Sequence, residues 1–241
     1  CAGMAVARAD NGRGGVGAAN RATLVPVATL PDTVGSQATL ARAVAYAADP
    51  TTEGVGTTAD GADVISCSLG PNDAPFTMQT VLRDAIDFAV TSGRGGLGTP
   101  VFWATDNANV PVSQDQVCSY ENTIAVGRSD DDDTADGSAF GPELEFLAPG
   151  RDVYSTTLGG GYGTGTGTSY ATPLSAGVGA LVLAVAPDLS WEEVRGVLRD
   201  TAEQVGGVSY GADDHHDDYG SGRINAADAV CRALRGVELQ T

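Results

Sequence analysis

The order of hydrophobic patterns along this chain predicts an α/β fold, a mostly parallel sheet with helices on both faces. Strand-like apolar runs alternate with helix-like runs of 3.6-residue period. Polar turns follow the strand-like runs, which is where open parallel sheets place their ligands. The 241 residues contain no internal repeat and no linker-like stretch, so residues 1–241 are expected to form one domain.

The elements follow in chain order. "ATLVPVATL" (22–30) predicts a strand, and "SQATLARAVAYA" (36–47) a helix with Leu40, Ala43, Val44 and Ala47 on one face. "ADVISCSLG" (62–70) predicts a second strand that runs into a glycine turn. "MQTVLRDAIDFAVTSG" (78–93) predicts a helix burying Leu82, Ala85, Ile86 and Ala89. "TPVFWATDN" (99–107) and "NTIAVGRS" (122–129) predict two more strands, and a small-residue helix is expected from Ser169 to about Val185. "PDLSWEEVRGVLRD" opens a further helix through a capping box, with Ser190 at N-cap and Glu193 at N3.

Charge narrows the partners. The chain has 31 acidic residues against 13 basic ones, every one of them arginine. No basic footprint exists for a nucleic acid. No run approaches the ~18 consecutive apolar residues of a membrane span. Cys1, Cys67, Cys118 and Cys231 are too scattered for a disulfide framework, and none forms a C-x-x-C pair.

Three polar turns fall at strand ends: "SLGPND" (68–73), "TDNAN" (105–109) and "GTGTSYATP" (165–173). In the last, Ser169 ends a glycine-rich loop and opens a helix. That position offers unpaired N–H groups and the positive end of the helix dipole to a developing anion. A plain N-cap serine has the same pattern. A phosphate-binding P-loop does not, because it needs a lysine and the chain has none.

"GTSYATP" followed by an apolar helix resembles the nucleophile motif of the subtilisin-like serine proteases, and the resemblance covers most of the chain. It implies a subtilisin-like fold whose N-terminal part lies outside these residues, and serine endopeptidase activity on extended polypeptides. Ser169 is then the nucleophile and Asn107, in "VFWATDNAN", the oxyanion residue. Ser68, Leu69 and Gly70 in "SCSLG" form the strand that pairs with substrate. "GPELEFLAPG" and "YGSGRINAADAV" match further landmarks.

Within that family the chain looks most like the kexin and furin branch of proprotein convertases. "SLGPND" resembles its S-W-G-P-E-D, which puts Asp73 at an S1 aspartate and implies cleavage after arginine or lysine. Tyr120 keeps a residue of the S1 surroundings, whereas Cys118 replaces a carboxylate there. The family orders its triad Asp, His, Ser, with the histidine in an "HGT" just upstream of the segment that Cys1 begins. The resemblance therefore implies an upstream segment carrying the catalytic aspartate and histidine, and the chain alone is expected to be inactive. Asp106 departs from the glycine usual before the oxyanion asparagine, and is tolerable only with negative φ and an outward side chain. That departure also supports an alternative, a catalytically silent peptide-binding or scaffold domain.

His215 and His216 sit in an acidic loop that is expected to be solvated. Asp132, Thr134, Asp136, Gly137 and Glu143 have EF-hand spacing but lack flanking helices, so an acidic turn is expected. The chemistry implied needs no cofactor. Structural calcium is implied by the family with no ligands assigned, as is a secreted or extracytoplasmic location. The implied partner is a peptide or protein substrate.

Overall fold

The computed structural model describes residues 1–29, 36–53, 61–71 and 75–238. Four parallel strands lie side by side in chain order: β1 (Ile65–Cys67), β2 (Val101–Ala104), β3 (Ile124–Ser129) and β4 (Phe146–Pro149). The register pairs Cys67 with Trp103, Phe102 with Ile124, and Val126 with Phe146. Because side chains alternate across a sheet, this register sorts the apolar residues into two cores. Val101, Trp103, Ala125 and Leu147 share one core with α2 (Gln37–Ala48) and α3 (Thr80–Ser92). Phe102, Ile124, Val126, Phe146 and Ala148 share the other with α4 (Thr168–Val185), α5 (Trp191–Asp200) and α6 (Ala226–Glu238). Helices therefore cover both faces.

Local signals account for most element ends. Ser36 caps α2 by accepting from the Thr39 N–H. Ser190 and Glu193 form the reciprocal capping box of α5. In α3 the four expected residues are buried together with Val90. In α2 Leu40 and Val44 are buried as expected, while Ala43 and Ala47 are half-buried and Ala41 and Ala48 complete the face.

α4 is the central helix. It is long and apolar enough to pass for a membrane span, yet most of it is buried within the protein against all four strands. Its small residues permit that approach. A Cβ on Gly179 would stand 2.9 Å from the Phe102 ring, and one on Gly177 2.8 Å from the Ala18 Cβ. A short helix, α1 (Ala2–Val6), packs on α4 as well.

Two expectations need correction. Residues 22–29 form no strand, and residue 30 lies outside the described residues. An extended run needs a ladder partner, and this one has none among the described residues, where Leu24 and Val25 stay half exposed. An antiparallel hairpin, β5 (Val153–Thr156) and β6 (Tyr162–Gly165), leads into α4 where sequence patterning showed only a glycine-rich loop.

The acidic segment after β3 is a turn, not a helix-flanked loop. Asp130 accepts from the Asp132 and Thr134 N–H groups. Asp136 pairs with Arg128 and Arg151, and Asp133 with Arg223.

Candidate active site

The three polar turns converge. Ser68 and Gly70 after β1, Thr105 to Asn107 after β2, and Thr168 and Ser169 at the start of α4 line one cleft of about 240 Å³. Ser169 is the second residue of α4, so its N–H has no acceptor within the helix. The N–H before it is already used, since Thr168 donates its N–H to Asn107 Oδ1 at 2.9 Å. The Thr168 hydroxyl donates to the Thr105 carbonyl at 2.6 Å, tying the helix start to the end of β2. A Cβ on Gly167 would crowd Asn107 Oδ1 at 3.1 Å.

Asn107 is held by donors alone. Besides Thr168, the Arg128 guanidinium donates to its Oδ1 at 3.0 Å. The Thr168 N–H and the guanidinium cannot accept, so it is the oxygen end of the amide that they hold. Arg128 is anchored in turn through Nε on the Asp136 carbonyl and carboxylate. Nothing in the sequence motifs pointed to Arg128; its one signal is a charge inside the otherwise apolar run "IAVGRS".

Asp106 meets the backbone condition, and it lines the cleft together with Asn107. It is not among the residues with positive φ. Its carboxylate turns back to accept from the Ala108 N–H at 2.9 Å, closing its own turn.

Ser68 donates to the Ser169 carbonyl at 3.1 Å, and so does the Cys1 thiol at 3.2 Å. Among the described residues, no main-chain hydrogen bond outside the sheet ladder engages Leu69 or Gly70. That leaves an open edge for an extended peptide.

Two expected site residues do not join the cleft. Asp73 lies outside the described residues. Tyr120 points to α3, where its hydroxyl donates to Asp87 at 2.6 Å and Arg83 lies over its ring. Burial and the Asp87 carboxylate push that phenol up to about 12. Cys67 and Cys118 are buried thiols, raised well above their ordinary value by desolvation, and are inert as nucleophiles. His215 faces the Leu144 carbonyl and His216 accepts from the Asp218 N–H. Among the described residues, nothing engages Ser169 Oγ.

No group of three His, Cys, Asp or Glu side chains among the described residues is placed to hold a metal ion. The acids with EF-hand spacing do not fit calcium either, since Asp136 is spent on two arginines.

The family model described as "Subtilase family" matches residues 1–222. The chain belongs to the subtilase family. A protein of Nostoc sp. named a calcium-dependent protease is 35% identical over 97% of this chain and 39% of its own length. Subtilisin DY of Bacillus licheniformis is 34% identical over 93% of the chain and 74% of its own length. A solved protease of Pseudoalteromonas arctica superposes with a TM-score of 0.84 at 27% identity, over 96% of this chain and 69% of that one. The chain thus has the subtilisin-like α/β fold, and it spans 39% of the length of the Nostoc relative.

Proposed function

We propose that these residues form the nucleophile half of a serine endopeptidase that hydrolyses peptide bonds in extended polypeptides. The observation that supports this most is Asn107, held through its Oδ1 by the Thr168 N–H and Arg128, on the same cleft as Ser169, whose N–H has no acceptor within its helix. Two such donors at one cleft suit the oxyanion of an acyl-transfer intermediate.

Ser169 Oγ attacks the scissile carbonyl while its proton passes to a histidine base, and the carbonyl oxygen becomes the anion held by Asn107 Nδ2 and the Ser169 N–H. The same proton then leaves with the amine, and water releases the acyl group by the reverse route. Ser68 to Gly70 align the peptide main chain. The histidine and the aspartate that orients it belong to an upstream segment. An apolar cavity of about 500 Å³ flanks β1, lined by Val25, Val27, Leu40, Val44 and Ile65, and suits the packing of such a segment.

Cleavage after basic residues, on the pattern of the convertase branch, belongs to the same proposal and is supported by "SLGPND". An extracytoplasmic location and a structural calcium ion rest on the family resemblance, with no calcium ligands assigned. Against the silent-domain alternative stands the Asp106 carboxylate, which is engaged by the Ala108 N–H of its own loop.

The test is peptide hydrolysis by the full-length protein and its Ser169→Ala variant. Activity absent from the variant, with peptide binding retained, is the expected result; full turnover by the variant overturns the assignment.

A further inference from the structure

Arg128 is a cation in a mostly buried strand, and its side chain is 11% exposed. A desolvated guanidinium needs an anion, and removing that anion leaves a charge that is drawn to water. Among the described residues one carboxylate pairs with Arg128, that of Asp136, 3.5 Å from Nε.

The turn around Asp136 is shaped for this one side chain. The Asp136 carbonyl accepts from Arg128 Nε at 2.5 Å, and the Asp136 N–H donates to the Arg128 carbonyl at 3.4 Å. Ser138 Oγ accepts from the Arg128 N–H at 3.2 Å and meets the Thr105 hydroxyl at 3.2 Å. Between them Gly137 has a φ of +53°, and a Cβ there would stand 2.9 Å from Arg128 Nη2. The guanidinium therefore takes the space that a side chain at residue 137 would fill. Its Nη1 ends on Asn107 Oδ1.

The carboxylate divides its two oxygens between two cations. Oδ2 faces Arg128, and Oδ1 takes the Arg151 guanidinium at 3.1 Å. Arg151 follows Gly150, whose carbonyl accepts from the Gly167 N–H at 2.8 Å, just ahead of Thr168 and Ser169. One carboxylate thus joins the loops after β3 and β4 to the arginine that holds Asn107.

Taking the endopeptidase assignment as given, we propose that Asp136 is a positioning residue for the oxyanion. Its charge keeps Arg128 on Asn107 Oδ1, which reserves the nitrogen of that amide for the reacting carbonyl. Without the charge, the guanidinium gains more from water than from a neutral amide oxygen, and Asn107 is free to rotate. Asp136 touches neither the peptide nor the reacting atoms, so it acts on the rate and not on peptide affinity. No covalent step is added.

The experiment uses the full-length protein, one extended peptide substrate, and the matching peptide aldehyde and alcohol. The aldehyde forms a serine adduct that carries an oxyanion; the alcohol forms none. Asp136→Asn is expected to lower kcat about fivefold with KM unchanged, as the weakening of one hydrogen bond to a charged group implies. The aldehyde should bind about fivefold more weakly and the alcohol as before, which reports an intact cleft. In the Asn107→Ala background the substitution should cost nothing further.

Asp133→Asn is the control. It removes the same charge from the same turn, at a φ of 60° that asparagine tolerates, but takes it from Arg223 instead of Arg128. It should leave kcat unchanged. The role of Asp136 is overturned by no loss at all, or by a loss that lies in KM or weakens aldehyde and alcohol alike. A loss that persists in the Asn107→Ala background, or that Asp133→Asn matches, overturns it equally. A wild-type protein that neither cleaves the peptide nor binds the aldehyde more tightly than the alcohol overturns the endopeptidase assignment itself.

Discussion

Pro173 withholds from the Ser169 carbonyl the amide hydrogen that the fourth residue onward in a helix normally supplies. Proline has no N–H, so the first turn of α4 leaves that carbonyl free inside the helix. The Ser68 hydroxyl and the Cys1 thiol fill the gap. One missing hydrogen bond thereby fastens the loop after β1 to the turn that carries Ser169.

Ser68→Ala should loosen that fastening. The expected cost is about 1 kcal/mol of unfolding free energy and a roughly fivefold fall in kcat/KM. Urea denaturation and initial rates on one extended peptide measure the two effects.

On the proposed mechanism, Asn107→Ala removes one oxyanion donor and nothing that binds the peptide in its ground state. kcat should fall by about 10²–10³ with KM little changed; the magnitude is that of the same loss in subtilisin, a relative. Steady-state kinetics separate the two constants.

Arg128 acts through Asn107 and is a positioning residue. Arg128→Met should lower kcat about tenfold, since the amide can then rotate. In the double variant with Asn107→Ala that tenfold loss should vanish. Additive losses would show that Arg128 merely supports the fold.

Asp115 should weaken the fold at neutral pH. Its folded-state pKa is raised, chiefly by burial, so folding favours the protonated form. The penalty is therefore absent below the ordinary value of 3.8, grows as pH rises, and is complete above the folded-state value. Asp115→Asn should raise Tm by about 2–4 °C at pH 8, and the gain should disappear near pH 3.5. Calorimetry at the two pH values reads this directly.

Much of the scaffold was legible because it is set by local chemistry. The period of "VLRDAIDFAV", the capping box at Ser190 and the β-branched and aromatic runs of β2 and β3 name their own elements. Ser169, Asn107 and Ser68 stood in motifs at strand and loop ends, and the fold brings the three to one cleft. What stayed hidden depends on tertiary partners. The run 22–29 has strand composition but no neighbour to pair with among the described residues. The β5–β6 hairpin is glycine-rich and alternates too weakly to show. Arg128 and Asp115 look like surface charges in sequence, and only the packing of their loops buries them. Tyr120 was placed near substrate by resemblance, whereas Asp87 and Arg83 draw it to α3.

The most direct test of the account is fluorophosphonate labelling of the native full-length protein, with the adduct located by peptide mass. A single adduct on Ser169, absent from Ser169→Ala, is the predicted result. A folded full-length protein that carries no label at Ser169 would contradict the account and leave a subtilase fold that binds peptides without cutting them.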